Sequence, residues 1–188
     1  MVKQQTLILI RGLDGSGKTT LANLICKGIP SARCKSICVY DYLQHQDLDS
    51  FDGQMLKDAH TWCKTTVAAW MEEQCETIVV HNNLTRKWEC EPYLELGMRH
   101  GYEVMVVNLF DGGLNDHQLA QRSKGRVPIG SIRAQRKRWH ADVFRSEKLQ
   151  KRTYYRHLNG SQTLGRENIL PTLLFLPSKN IRLGSRNR

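Results

Sequence analysis

The stretch that most constrains this chain of 188 residues is TLILIRGLDGSGKTTLANLI, residues 6–25. Residues 6–10 form a short apolar run with β-branched members, which is typical of a buried parallel strand. Residues 18–27 place their large aliphatic side chains on one helical face, and Gly28 follows them, so a helix is predicted there. A glycine-rich turn therefore joins a strand to a helix.

That turn satisfies the pattern G-x-x-x-x-G-K-[ST] between Gly12 and Thr19. Glycines let successive backbone N–H groups point at phosphate oxygens, and the following helix N-terminus adds partial positive charge. Lys18 is expected to reach the β- and γ-phosphates, and the Thr19 hydroxyl is expected to bind Mg²⁺. The predicted nucleotide-binding residues are Gly12, Asp14, Gly15, Ser16, Gly17, Lys18, Thr19 and Thr20. The sequence thus predicts binding of a nucleoside triphosphate, taken to be ATP, with Mg²⁺.

The rest of the pattern predicts strands that alternate with helices. The further predicted strands are residues 36–39, 77–80 and 103–110, and the predicted helices are residues 52–74, 87–99, 116–123 and 131–143. Such alternation indicates an α/β fold of three layers, with helices on both faces of a parallel central sheet, and the glycine-rich loop assigns it to the P-loop NTPase/kinase type. We expect a kinase-like domain at residues 1–144 and a basic C-terminal extension at residues 145–188, with a candidate last strand at 169–178 and a basic tail at 179–188.

Positive charge is concentrated in the last third of the chain. Residues 1–120 hold 11 Lys/Arg against 15 Asp/Glu, whereas residues 121–188 hold 17 against 3. A surface of this kind attracts a polyanion, although a solvated basic tail would show the same composition. The six cysteines form no C-x-x-C pair and no zinc-like spacing with histidine, and neither a signal peptide nor a long apolar run is present. We therefore expect a soluble cytoplasmic protein, or a nuclear one, with reduced thiols.

Four segments in order carry a family resemblance: RGLDGSGKTTLA, VYDYL, IVVHNNLTRKWECEPYLELGMRHGYEVMVVNL and LAQRSKGRVPIGSIRAQRKRW. Together they resemble the polynucleotide 5′-kinase-like P-loop family, which includes phage-type polynucleotide kinase, the kinase-like domain of the myelin cyclic-nucleotide phosphodiesterase and related vertebrate P-loop kinase-like proteins. The resemblance covers about residues 5–143. It implies an ATP-dependent kinase that phosphorylates a nucleic-acid 5′-hydroxyl end. A nucleoside-type small-molecule kinase and a catalytically degenerate nucleotide- or RNA-binding protein are the alternatives.

Two departures from the family pattern concern the acceptor side. The family's base aspartate follows the second strand in S/N-x-D-D, where this chain has Val39-Tyr40-Asp41-Tyr42. An ungapped alignment puts Tyr40 at the base position, whereas a shift of one residue puts Asp41 there, and we predict Asp41. The family's aspartate after the third strand is replaced by the run from His81 to Asn83. His81 is either a substrate contact or an ordinary strand-end histidine.

The segment QRSKGRVP resembles the family's arginine-bearing lid, so the resemblance implies a basic helical lid on the sheet. The resemblance implies that Arg122 and Arg126 clasp the γ-phosphate, with Lys124 as a substitute. The predicted catalytic residues are Lys18, Asp41, Arg122 and Arg126. The expected partner is a single-stranded 5′ end of RNA or DNA, since basic and aromatic residues interleave in the C-terminal third. These residues are Arg133, Arg136, Lys137, Arg138, Trp139, Tyr154, Tyr155 and Arg156. Trp139 either stacks on a base or belongs to the core.

Overall fold

A computed structural model describes residues 4–44, 53–124 and 126–140, together with the backbone of a strand at 153–157. The strands are β1 (Thr6–Gly12), β2 (Cys34–Ile37), β3 (Thr77–Val80), β4 (Glu103–Phe110) and β5 (Thr153–His157). The helices are α1 (Lys18–Lys27), α2 (Val39–Leu43), α3 (Gly53–Glu72), α4 (Lys87–His100), α5 (Asp116–Arg122) and α6 (Ile129–Lys137). Among the helices of the described segments, none combines the length and the apolar character needed to span a bilayer.

The five strands form one parallel sheet in the order β2-β3-β1-β4-β5. Successive residues of β1 alternate between the two faces, so that Leu7 and Leu9 pack in one core with residues of α3 and α4. Ile8 and Ile10 pack on the opposite face with residues of α1. The predicted three-layer α/β fold is therefore confirmed.

Most predicted boundaries agree with the structure to within two residues, but the segment after β2 does not. The predicted strand at 36–39 was wrong at its end, because Val39 is the first residue of α2. The carboxylate of Asp41 accepts a hydrogen bond from the backbone N–H of Cys38 at 2.7 Å, which caps this short helix. The acidic residue three positions after Cys38 thus begins a helix where periodicity alone extended the strand.

The C-terminal third contains a strand that the sequence did not reveal. Strand β5 pairs in parallel with β4 from Val104 opposite Thr153 to Asn108 opposite His157, inside the range predicted as a basic extension. Helix α6 spans residues 129–137 rather than the predicted 131–143, and residues 141–143 lie outside the described residues. The predicted last strand at 169–178 and the tail at 179–188 also lie outside them. The domain boundary at 144/145 stays a prediction.

Helices α5 and α6, the predicted lid, pack against the glycine-rich loop through a small apolar core. Leu13 of the glycine-rich loop packs there with Leu119 of α5 and Ile132 of α6. The guanidinium of buried Arg11 lies 4.1 Å from the ring centre of Trp139. Of the two expectations for Trp139, packing is therefore the one that the structure supports. The loop and the lid are consequently one packed unit.

Candidate active site

A cavity of about 250 Å³ lies at the carboxyl ends of β1 and β3. Ligands of open α/β sheets bind in this position, because the loops that follow the strands meet there. The cavity wall consists of the glycine-rich loop with the start of α1, the first residues of α2, the residues after β3, and the lid. Of the predicted nucleotide-binding residues, Asp14, Gly15, Gly17, Lys18, Thr19 and Thr20 line it, whereas Gly12 and Ser16 do not.

The glycine-rich loop has a backbone that requires glycine at two positions. Gly15 has a φ of +82° and Gly17 has a φ of +100°. A Cβ added to Gly15 would also lie 2.3 Å from the backbone oxygen of Leu119, so helix α5 presses directly against the loop. The curl of the loop and its contact with the lid therefore depend on the same residue.

Lys18 is buried beneath the loop, with only 7% of the residue exposed. Its ammonium donates hydrogen bonds to the backbone oxygens of Gly12 at 3.0 Å and Leu13 at 2.9 Å. Burial lowers its pKa to about 8, although the nearby carboxylate of Asp14 acts in the opposite direction. Lys18 thus rests on loop carbonyls in a position from which it can reach a bound phosphate.

Asp14 is the centre of a hydrogen-bond network that the sequence did not predict. Its carboxylate accepts from Gln135 Nε2 at 2.8 Å, Asn83 Nδ2 at 3.0 Å and the Tyr40 hydroxyl at 3.3 Å. The backbone N–H of Asp14 donates to Gln135 Oε1 at 3.0 Å. The network joins the loop to α2, to the residues after β3 and to lid helix α6. No sequence signal pointed to Gln135, which lies 121 positions away along the chain.

The structure separates the two candidates for the base position. Tyr40 lines the cavity and is 38% exposed, whereas Asp41 is not among the lining residues. The carboxylate of Asp41 caps α2 and belongs to a cluster in which its oxygen, the Cys38 sulfur and a ring nitrogen of His81 all lie within 4.8 Å of one another. The cavity wall therefore agrees better with the ungapped alignment, which puts Tyr40 at the base position, than with the shifted alignment, which puts Asp41 there.

The predicted metal ligand Thr19 is exposed at the cavity, and its Oγ1 lies 3.5 Å from Nδ1 of His81. Burial lowers the pKa of His81 below its ordinary value; the nearby Asp41 charge opposes this shift and the Lys18 charge adds to it. The imidazole is therefore neutral at neutral pH. A neutral imidazole suits zinc or copper better than Mg²⁺, which prefers oxygen ligands and keeps several waters. The Thr19 hydroxyl fits Mg²⁺ as a single protein ligand.

Two of the three lid cations predicted to clasp the γ-phosphate reach the cavity. Arg122 and Arg126 line it, while Lys124 is exposed and is not among the lining residues. A Cβ built on Gly17 would lie 3.6 Å from Nη2 of Arg122, so this guanidinium lies over the start of α1. Nε of Arg126 donates to the backbone oxygen of Ser123 at 3.3 Å. The loop and the lid thus place positive charge on two sides of one space.

The basic residues of α6 divide into structural and exposed ones. Arg136 donates to Asp111 at 2.6 Å and to Asp116 at 2.9 Å, and so ties α6 to the start of α5 and to the segment before it. Arg138, which follows α6 and is exposed, donates to the Thr85 hydroxyl at 3.2 Å. Arg133 and Lys137 are exposed, Arg133 lying 3.7 Å from Asp116. The predicted polyanion surface on this helix is therefore smaller than its sequence suggested.

Comparison with known proteins gives curated relatives at the sequence level and solved structures that share the fold. No protein-family model matches the chain. NEDD4-binding protein 2 of Homo sapiens is 34% identical over 99 residues, which are 53% of this chain and 6% of that protein. The chain therefore spans a small part of the relative it matches.

Solved structures share the fold at low sequence identity. A chain of the Pnkp1/Rnl/Hen1 RNA repair complex superposes with a TM-score of 0.59 and 15% identity, covering 73% of this chain and 45% of that one. A gluconokinase from Sinorhizobium meliloti 1021 superposes with a TM-score of 0.51 and 16% identity, covering 81% of this chain and 82% of that one. At these identities the likeness concerns the fold alone, and the chain has the α/β fold of the P-loop kinases.

Proposed function

We propose that this protein is an ATP-dependent phosphotransferase that transfers the γ-phosphate of ATP to the 5′-hydroxyl end of a nucleic acid. The observation that carries the proposal is that Lys18 and Thr19 of the loop and Arg122 and Arg126 of the lid line one cavity. Phosphoryl transfer depends mainly on such positioning, because charge develops on the oxygens of the transferring group.

Each side of the cavity has a part in this chemistry. The backbone N–H groups of the loop and the Lys18 ammonium hold the β- and γ-phosphates. Arg122 and Arg126 stabilise the charge on the transferring group from the lid side, and the packed lid excludes water. The Thr19 hydroxyl would hold Mg²⁺, which would supply positive charge that offsets the charge of the phosphates. The assignment of the base to Asp41 stays a prediction.

A nucleic-acid acceptor is supported by charge and by similarity. The segment 121–188 contributes 17 Lys/Arg against 3 Asp/Glu, and its cations Arg122, Lys124, Arg126, Arg133 and Lys137 are exposed. A chain of an RNA repair complex shares the fold. Exposed cations beside a phosphate-binding cavity suit the backbone of a single strand whose end enters the cavity.

A small-molecule kinase is the second candidate, and similarity of fold favours it. The gluconokinase, which is a kinase of a small acceptor, has the same fold over 82% of its length. This reading leaves the basic C-terminal third without a role.

The test is transfer of labelled γ-phosphate from ATP, in the presence of Mg²⁺, to 5′-hydroxyl RNA and DNA oligonucleotides, with nucleosides and gluconate as small acceptors. Label on an oligonucleotide that is lost in Lys18→Ala supports the proposal. Label on a small acceptor alone transfers support to the second candidate. Binding of ATP without transfer to any acceptor would contradict both and indicate a nucleotide-binding protein without kinase activity.

A further inference from the structure

A kinase acting on a hydroxyl needs a group that accepts the hydroxyl proton, and in many kinases this group is an aspartate. Among the described residues that line the cavity, Asp14 is the only one with a carboxylate. Asp14 lies within the phosphate-binding loop itself, so its side chain is close to the phosphates that the loop would hold. This placement distinguishes it from Asp41, which caps α2 outside the cavity wall.

The surroundings of Asp14 fix the direction of its carboxylate. Oδ2 accepts from Asn83 Nδ2 and Gln135 Nε2, at 3.0 and 2.8 Å. Oδ1 accepts only the longer bond from the Tyr40 hydroxyl, at 3.3 Å, and lies 3.8 Å from the Lys18 ammonium. A carboxylate oxygen accepts about two hydrogen bonds, so Oδ1 retains capacity for one more donor. That donor would enter from the cavity between Tyr40 and Lys18.

The same surroundings make Asp14 a poor metal ligand. Its three side-chain hydrogen-bond partners are donors, and the Lys18 ammonium lies beside Oδ1. A divalent cation bound to this carboxylate would face these donors and the positive charge of Lys18. A hydroxyl group, in contrast, brings a donor of its own to Oδ1.

We infer that Asp14 is the catalytic carboxylate that receives the acceptor hydroxyl. This inference rests on the proposed phosphotransferase function. Oδ1 accepts the hydrogen bond of the reacting hydroxyl and then its proton, while the acceptor oxygen forms a bond to the γ-phosphorus. The bond between that phosphorus and the β,γ-bridging oxygen breaks, and its electron pair leaves with ADP. Tyr40 is a positioning residue that donates to the same oxygen.

The experiment compares Asp14→Asn with wild type in the γ-phosphate transfer assay, using whichever acceptor wild type phosphorylates. We expect kcat to fall about 10²–10⁴-fold, the range for loss of a general base. The dissociation constant for AMP-PNP, measured separately by calorimetry, should change far less than kcat, because removing the Asp14 charge lessens repulsion of the phosphates but also lowers the pKa of Lys18, and these two effects oppose each other. Asp58→Asn, on an exposed position of α3, is the matched control and should leave both quantities unchanged.

Two further variants separate the loss of the Asp14 carboxylate from misfolding and from a role of Tyr40. Asp14→Ser is the second test at the site, since a hydroxyl can still accept from the buried donors if Asn disturbs them. Its kcat should fall in the same way when it is measured well below the midpoint of the variant's own thermal unfolding curve. Tyr40→Phe should lower kcat less than either Asp14 variant, because the carboxylate remains.

The outcomes separate the inference from the function on which it rests. Transfer by wild type with equal kcat in Asp14→Asn overturns the inference and leaves the phosphotransferase intact. Loss of kcat in Asp41→Asn but not in Asp14→Asn gives the role to Asp41 instead. A loss of AMP-PNP binding as large as the loss of kcat shows damage to the loop and also overturns the inference. If wild type binds AMP-PNP but transfers to no acceptor, function and inference both fail.

Discussion

The charge of Lys18 gives nucleotide binding a pH dependence that the structure predicts in sign and size. Burial lowers the Lys18 pKa to about 8, from an ordinary value of 10.5. The charged ammonium is the form of Lys18 that attracts phosphate. Above its pKa, Lys18 of the nucleotide-free protein is mostly uncharged, so nucleotide binding must be accompanied by uptake of a proton. Nucleotide affinity should therefore fall as the pH rises.

The magnitude follows from the protonated fraction of Lys18. With a pKa of about 8, roughly nine in ten molecules carry the ammonium at pH 7, and roughly one in eleven carries it at pH 9. The dissociation constant for ADP should accordingly rise about tenfold over this range, which is about 1.4 kcal/mol of binding free energy. The bound phosphates keep Lys18 protonated, so binding at pH 9 should also take up protons.

Calorimetric titration with ADP at pH 7, 8 and 9 measures both quantities, and buffers of different ionisation enthalpy report the proton uptake. Lys18→Met is the matched variant, because it keeps the length of the side chain without the charge. It should bind ADP more weakly at pH 7, with a dissociation constant that varies little with pH. A flat pH profile in wild type, or an equal slope in Lys18→Met, would refute this account of Lys18.

Three further predictions concern the packing around the site. Gly15→Ala should lower the free energy of unfolding by about 2 kcal/mol or more in a urea titration, because the added Cβ would clash with the backbone of α5 and the residue has a positive φ. Gly130→Ala is the control and should not destabilise, since nothing lies within 4 Å of its added Cβ. Trp139→Ala should lower the free energy of unfolding by about 3 kcal/mol, because its contacts with Arg11 and Phe110 are lost. Trp88→Ala is the control and should change that free energy by no more than about 0.5 kcal/mol, since Trp88 is 59% exposed. Equal losses in the two variants would contradict this account of Trp139. Burial lowers the pKa of His81 in the folded protein, so this histidine takes up a proton more readily in the unfolded state. The free energy of unfolding should therefore fall as the pH drops below about 6.5. His81→Asn should lessen that fall, and an unchanged slope would count against the assignment.

The local sequence was sufficient to predict a helix, strand or loop wherever the residues that determine it lie within one short stretch. The glycine-rich loop, β1 and α1 follow one another within residues 6–27, and the bounds of α1 and of strand β4 agree with the prediction. The helix that replaces the end of the predicted second strand is the instructive exception. Its capping by Asp41 depends on a side chain that turns back to Cys38, a contact that hydrophobic periodicity does not report.

Residues distant in sequence decided the composition of the candidate site. Asp14 was predicted as part of the loop, but its hydrogen bonds to Asn83 and Gln135 join residues 69 and 121 positions apart. Arg136 was predicted as part of a basic surface, and its two carboxylate partners make it a clamp within the lid. In each case the residue type was visible in the sequence, whereas its partner was not.

The sequence by itself determined that this chain contains a glycine-rich loop with the pattern typical of phosphate binding between a buried strand and a helix, because that motif and its periodicities are local. Only the tertiary structure decided that Asp14 is the carboxylate in the cavity wall, that Tyr40 faces it and that Asp41 does not line it. The physical reason is that such roles depend on side-chain direction and on contacts across the sheet and the lid. These are fixed by the packing of the whole domain rather than by neighbours in the chain.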